Sequence, residues 1–284
     1  MNNSSISVII PAYNEEKTIG LCLATLAKQS DKPKEIILID DGSVDKTQEI
    51  IIRIQKEINI PLTILKQNHQ GTAIARNFGA SKAMGDILVF VDSDMEFEDH
   101  FLEKLIQPIV SGTSKGTFTK EEYVKNWDNM WAQCWNFNEG IYENRRIPKT
   151  YPNTSPVFRA ILKEEFDRVG GFDDIGFTDD WTLSRKLRYE ATAASGAICY
   201  HKNPSTITEV YRQARWIGKN EFISGTCITQ LISLVRYSIP VQLFRSIVVL
   251  IQTKEPAFFI FDAVYSLGIY RSIIGIWMGE KRYK

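Results

Sequence analysis

The sequence predicts an α/β fold, a mostly parallel central sheet with helices on both faces. Residues 1–110 alternate short β-branched runs with segments of helical spacing. Strands alternating with helices build a parallel sheet covered on both sides. In addition, three of the runs end in polar clusters: Pro11-Ala12-Tyr13-Asn14-Glu15, Asp40-Asp41-Gly42-Ser43 and Asp92-Ser93-Asp94. In such sheets ligands bind beyond the carboxyl ends of the strands, so the acidic groups are expected together on one rim.

Taken in order, strands are expected over 7–10, 35–39, 62–65 and 86–91. Helices are expected over 15–28 (Ile19, Leu23, Leu26), 45–57 (Ile50, Ile51, Ile54), 71–84 and 99–110. Tyr123, Trp127, Trp131 and Trp135 then recur at one-turn spacing. This stripe reads either as core packing on one helix face or as a platform for a sugar or lipid, since indole pairs an apolar face with a polar N–H. A strand over 158–161, a helix over 163–169 and a turn at Gly170-Gly171-Phe172-Asp173 follow. Next come a helix opening at Thr178 and reaching about Tyr189, a small-residue strand over 193–199 and a helix over 206–222. No GxGxxG follows the first strand and no GxxxxGK[ST] occurs, so dinucleotide and P-loop sites are excluded.

The 284 residues suit one large domain or a domain with an appendage. A composition of 44% hydrophobic and 24% charged residues excludes a disordered chain. Lys plus Arg equals Asp plus Glu at 34 each, which argues against a general nucleic-acid binder. Cys22, Cys134, Cys199 and Cys227 form no CxxC pair, which removes zinc-knuckle and thioredoxin-type motifs and fits reduced thiols. The polar N-terminus leads into an apolar run too short for a signal peptide, so catalysis is expected to face the cytoplasm.

Residues 231–284 carry seven basic and three acidic side chains and are the most apolar part of the chain. Apolar stretches over 231–251 and 257–278 approach the ~20 residues of a membrane span. Arg236, Arg245, Asp262 and Arg271 interrupt them, and Pro240 breaks the first. Central Asp or Arg costs about 2.5–3.5 kcal/mol on insertion scales. Interfacial or re-entrant helices on a membrane surface are therefore expected, with a soluble helical subdomain as the alternative.

Asp92-Ser93-Asp94 is the sharpest local feature. Two carboxylates at i and i+2 after an apolar strand can share a hard divalent cation and a sugar hydroxyl. Mn²⁺ and Mg²⁺ suit such oxygen ligands and can bridge to a diphosphate. By itself the pair is also an ordinary acidic turn. Asp40-Asp41-Gly42-Ser43 reads as a turn and helix cap, or as a carboxylate placed to accept from the N3–H of uracil.

The runs over 7–16, 39–43, 71–79 and 85–94, in this order and spacing, resemble family 2 glycosyltransferases of the GT-A, Rossmann-like fold. The likeness continues more loosely through Gly170-Gly171-Phe172-Asp173 and Asp179-Asp180 to about residue 220. It implies a nucleotide-sugar donor, most often a UDP-sugar. On this likeness Pro11, Tyr13 and Asp41 frame the uracil, and Glu15 and Arg76 lie near the nucleotide. Asp92 and Ser93 approach the ribose or donor sugar, and Asp94 binds the metal. Inverting transfer needs a base at the acceptor hydroxyl, opposite the leaving diphosphate. The resemblance assigns that role to Asp180, with Asp179 as fallback. A helix N-terminus there favours the ionised form, and Thr178 or Asp179 is also a capping candidate. Arg212-Gln213-Ala214-Arg215-Trp216 resembles the family's [QR]xxRW element. Arg212 and Arg215 would hold the departing diphosphate and Trp216 the acceptor sugar, although the element also reads as a solvated basic face. His201 is either an added metal ligand or a structural hydrogen-bonder. His69 is given no role.

The expected organisation is a catalytic domain over 1–225, with a donor half at 1–110 and an acceptor half at 111–225, and membrane-associated helices over 226–284. The expected activity is inverting, metal-dependent transfer to a lipid-linked or glycan acceptor at the cytoplasmic membrane face. A short processive polysaccharide synthase is the alternative. A non-catalytic nucleotide-sugar-binding assembly subunit is a second, disfavoured because the acidic turns and the base are present.

Overall fold

The computed structural model describes residues 4–176, 178–220, 223 and 225–280. The chain forms two compact units. The first comprises Met1–Tyr123, Ile147–Asp174 and Asp179–His201, and the second Val124–Arg146, Ile175–Thr178 and Lys202–Lys284.

The first unit opens with β1 (Ile6–Ala12), α1 (Ile19–Ala27), β2 (Glu35–Asp40), α2 (Thr47–Gln55), β3 (Leu62–Lys66), α3 (Thr72–Lys82) and β4 (Ile87–Phe90). After β5 (Met95–Phe97), α4 (Phe101–Val110), β6 (Gly116–Phe118) and β7 (Glu122–Val124), the chain contributes α5 (Met130–Asn138) to the second unit. It then adds β8 (Thr154–Ser155), β9 (Ala160–Leu162), α6 (Lys163–Arg168), a 3₁₀ turn at Asp179–Trp181, α7 (Thr182–Leu187), β10 (Ala191–Ala193) and β11 (Cys199–His201). The main sheet runs β3-β2-β1-β4-β9-β6-β10-β8, and β5-β11-β7 form a small second sheet. The pairs β1–β2, β1–β4, β2–β3 and β6–β10 are parallel, while β9 is antiparallel to both its neighbours.

Period-two side-chain alternation fills both faces. Ile6, Val8 and Ile10 pack with Leu23, Ile51 and Leu105 on one side. Ile9, Ile37 and Ile39 pack with Ala75, Ala80 and Phe166 on the other. Each fully buried Ile or Leu contributes about 1.5–3 kcal/mol. The expected α/β architecture, with helices on both faces, is the one observed.

Local differences have physical causes. The first helix starts at Ile19 rather than near residue 15, because Asn14 adopts φ 57° and the Thr18 and Ile19 amides close a turn on the Glu15 carbonyl. The strand expected over 193–199 is two strands, β10 and β11, separated by a turn at Gly196 (φ 81°). The helix expected from 178 is the 3₁₀ turn followed by α7, which ends where Arg188 turns left-handed at φ 62°. The aromatic stripe does not lie on one helix. Tyr123 is on β7, Trp127 in a turn, and only Trp131 and Trp135 are on α5.

The second unit consists of α5, α8 (Ile207–Ile217), α9 (Cys227–Arg236), α10 (Ile239–Thr253) and α11 (Phe258–Trp277). The C-terminal part of the helix expected over 206–222 falls partly outside the described residues. Phe137, Val210, Ala214, Phe261, Tyr265 and Ile269 are buried together, and Trp127, Trp131 and Trp135 pack against them, which supports the core reading of those indoles. The close approach of α8 and α11 depends on Gly268, where a Cβ would lie 2.7 Å from that of Ala214 and 3.0 Å from the Tyr211 carbonyl oxygen. α11 is long and apolar enough to cross a membrane, with half of it buried in the unit. α9 and α10 would pass the same test only as a pair bent by 52°, with Pro240 in the first turn of α10. Three of the four charges that interrupt the apolar stretches are paired internally, while Arg236 lies over the Tyr237 ring. Arg245 meets Asp262 at 3.4 Å and donates to the Asn138 carbonyl at 2.8 Å, and Arg271 meets Glu280 at 2.7 Å.

Candidate active site

The carboxyl ends of β2, β1 and β4, three adjacent strands, deliver Asp40-Asp41, Tyr13-Asn14-Glu15 and Asp92-Ser93-Asp94 to one rim. At the β2 end the chain turns through Gly42 at φ 82°. A Cβ there would lie 2.9 Å from the His69 amide nitrogen, so both the backbone angle and the close loop demand glycine. The Asp41 carboxylate is saturated: it accepts from Gln67 Nε2 (2.7 Å), His69 Nδ1 (2.9 Å) and the Gln70 and Gly71 amides (2.8 and 2.9 Å). An ionised carboxylate has about four acceptor positions, so Asp41 anchors the loop between β3 and α3. A base bond to Asp41 would have to displace one of these donors. The ring held by Asp41 stacks on Tyr13, with centroids 4.0 Å apart and planes at 17°. His69, given no role from the sequence, thus joins Tyr13 and Asp41. Pro11 lies within β1, in register with Ile39.

The β4 end carries a network of opposite charges. Arg76, 9% exposed on α3, donates to Asp92 at 2.8 Å and meets Asp179 at 3.4 Å. Arg159, just before β9, meets the other Asp92 oxygen at 3.0 Å and Glu122 at 3.5 Å. Burial disfavours the Asp92 charge, but Arg159, Arg76 and His201 outweigh it and hold the carboxyl well below the usual carboxylate range. Burial likewise opposes both guanidinium charges, and the facing carboxylates overcome it, so both arginines stay firmly protonated. Ser93 is buried between the two aspartates. Sequence reasoning missed Arg159 and Glu122. Arg159 is a lone charge just before a short strand, and Glu122 sits in the ordinary charged run Lys120-Glu121-Glu122, so no local pattern marks either.

His201 ends β11 with a carboxylate on each ring nitrogen: Glu122 at 2.9 Å from Nδ1 and Asp94 at 2.9 Å from Nε2. Both nitrogens donate at once only in the doubly protonated ring. A divalent cation at Nε2 would replace that proton and be shared with Asp94, while Glu122 orients the ring from behind, the arrangement typical of metal-bound histidine. Among the described residues no three His, Cys, Asp or Glu side chains form a self-sufficient metal site. A carboxylate–imidazole pair still fits Mn²⁺ or Mg²⁺, which commonly take one or two carboxylates plus substrate phosphates. Glu15 adjoins this group. Burial, with Asp94 and Asp92 adding to it, pushes its carboxyl up to about 7 against the stabilising Thr18 hydroxyl bond.

Across Arg76 lie Asp179 and Asp180. Asp179 is buried and held by the guanidinium, yet burial still raises its carboxyl to about 6. Asp180 is half-buried, and burial raises it too, against the pull of Arg76 and Arg159. Burial thus works against the ionised form that the start of a helix favours. Asp179 spends its carboxylate on Arg76. Phe177, which precedes this turn in the sequence, lies outside the described residues. Arg212, Arg215 and Trp216 belong to the second unit. Arg212 and Trp216 are exposed on α8, and Arg215 meets Glu280 at 3.6 Å.

Residues 7–170 match the profile of glycosyl transferase family 2. Glycosyltransferase GlyG of Streptococcus pneumoniae is 30% identical over 203 residues, covering 63% of this chain and 64% of that protein. Poly-beta-1,6-N-acetyl-D-glucosamine synthase of Staphylococcus epidermidis is 27% identical over 220 residues, covering 74% of this chain and 53% of the synthase. The chain thus spans between about half and two thirds of the length of these relatives. S. aureus TarS 1–349 in complex with UDP-GlcNAc superposes with a TM-score of 0.58 at 17% identity, over 97% of this chain and 92% of that one, a likeness of fold.

Proposed function

The chain belongs to glycosyl transferase family 2, and we propose on that footing that it is an inverting, divalent-cation-dependent glycosyltransferase using a nucleotide diphosphate sugar, with UDP-sugars as the first choice. The observation that carries the proposal is Arg76, which bridges Asp92 and Asp179 and so draws the Asp92–Asp94 turn and the Asp179–Asp180 turn to the two sides of one guanidinium.

In this reading Tyr13 and the Asp41-anchored loop frame the base, with Pro11 behind them. Asp92 and Ser93 face the ribose or donor sugar, held in place by Arg76 and Arg159. Asp94 and His201 hold Mn²⁺ or Mg²⁺, which when bound offsets the charge of the diphosphate. Glu15, whose carboxyl burial pushes up to about 7, carries less than a full negative charge at neutral pH. Asp180 accepts the proton of the acceptor hydroxyl. The oxygen forms its bond to the anomeric carbon as the bond from that carbon to the diphosphate oxygen breaks on the opposite face, inverting the centre. Asp179, committed to Arg76, is the weaker candidate for base. By their motif Arg212 and Arg215 are assigned to the departing diphosphate and Trp216 to the acceptor sugar. The exposed apolar side chains of the C-terminal helices favour a lipid-linked or glycan acceptor at a membrane surface.

The test is hydrolysis of UDP-, GDP- and dTDP-sugars with and without Mn²⁺. Activity with a UDP-sugar that requires the metal and falls at least about a hundredfold in Asp94→Ala is expected. Metal-independent turnover, or full activity in the variant, rejects the reading. The [QR]xxRW-like element, together with the likeness to a polysaccharide synthase, supports a second reading of repeated transfer. Product length separates the two, since a single added sugar excludes processivity.

A further inference from the structure

The small sheet β5-β11-β7 sets three side chains in a row. Asp94 directly precedes β5, His201 ends β11 opposite Met95, and Glu122 opens β7. The central strand thus holds one imidazole between two carboxylates. Glu122 is 5% exposed, and a carboxylate so buried is costly unless its oxygens are paired. One oxygen accepts from His201 Nδ1 at 2.9 Å. The other faces the Arg159 guanidinium at 3.5 Å, and Arg159 also donates to Asp92 at 3.0 Å. Buried ion pairs add little stability over apolar side chains of the same volume, so stability by itself does not account for this one. What apolar side chains cannot do is decide which nitrogen an imidazole presents to a third group.

We propose, on the reading that Asp94 and His201 hold the cation, that Glu122 is a positioning residue of that site and that Arg159 holds Glu122 in place. The hydrogen bond made by one ring nitrogen decides what the other offers. With the Nδ1 proton tied to Glu122, the ring turns the Nε2 lone pair toward Asp94 and the cation. A half-turn of the ring would put Cε1–H there instead, and the bond to Glu122 opposes that turn. Both Glu122 oxygens are engaged, so Glu122 acts through the ring. A carboxylate is required because two donors face it, the imidazole N–H and the guanidinium. Glutamine has one acceptor oxygen and would turn an N–H toward one of those donors.

The experiment is titration of the full-length chain with Mn²⁺, followed by electron paramagnetic resonance, for the unmodified chain, Glu122→Gln and His201→Ala. Glu122→Gln should bind Mn²⁺ about ten- to a hundredfold more weakly than the unmodified chain, and His201→Ala should be weakened too. In the unmodified chain, histidine labelled with ¹⁵N at one ring position at a time should show Nε2 as the nitrogen coupled directly to the bound ion. Unchanged affinity in Glu122→Gln beside a weakened His201→Ala overturns the role of Glu122 and leaves the cation site standing. Unchanged affinity in His201→Ala, or no histidine nitrogen at the ion, overturns both. Should Glu122→Gln not fold, the labelling on the unmodified chain still decides, because coordination through Nδ1 overturns the proposal.

Discussion

Asp179 and Asp180 are neighbours in sequence with different surroundings. One is spent on Arg76, while the other keeps partial access to solvent and feels Arg76 and Arg159 through space. Burial raises both carboxyls, and their closeness couples their titration. A base must be ionised to accept a proton, so activity should fall as pH drops through the raised value. The acid limb of kcat/KM is therefore expected above the usual aspartate range of about 4. Asp180→Asn should lower kcat by about 10²–10⁴, whereas Asp179→Asn should mainly disturb Arg76. A pH–rate profile on both variants checks this. An acid limb near 4, or an active Asp180→Asn, removes Asp180 as the base.

At the scale of elements, α3 connects the core to the site. Its Arg76 reaches the rim, and its Gly79 lies against β1 and β2, where a Cβ would come within 2.6 Å of Ile39 Cδ1 and 2.8 Å of Ile9 Cγ2. Gly79→Ala is expected to cost about 1–3 kcal/mol by overpacking, read as a lowered thermal midpoint. It should also weaken donor protection against unfolding, because a helix lifted from the sheet carries Arg76 with it. A midpoint unchanged within error would show that α3 shifts freely. The packing of β1, β2 and α3 was legible in the sequence, since apolar runs and helical spacing are local patterns. The division of 193–199 into β10 and β11 was not. It depends on a left-handed Gly196 whose amide donates to Glu121, a residue 75 positions away.

At the scale of the molecule, large exposed apolar side chains concentrate on the C-terminal helices, among them Ile228, Leu231, Ile232, Val235, Ile239 and Phe244. The chain is expected to float with vesicles of mixed neutral and anionic phospholipid. Ile232→Asp/Phe244→Asp should weaken this partitioning by about tenfold or more, since each substitution trades buried hydrocarbon for a charge. Flotation of the double variant equal to that of the unmodified chain would reject a membrane-facing surface.

The sequence by itself determined the α/β class, the strand ends that carry Tyr13, Asp41, Asp92 and Asp94, and the apolar character of the C-terminal segment, whereas the structure joins that segment to α5 and α8 in one unit. Each of these depends on the period of side chains along a few neighbouring residues. Only the tertiary structure decided how Asp41 is used, which rings stack beside it, that Arg159 and Glu122 join Asp92 and His201, and that Arg245 pairs with Asp262 and Arg271 with Glu280 in the tail. Most of those outcomes depend on groups separated by tens of residues, and local periodicity carries no record of which distant carboxylate a buried arginine or imidazole will meet.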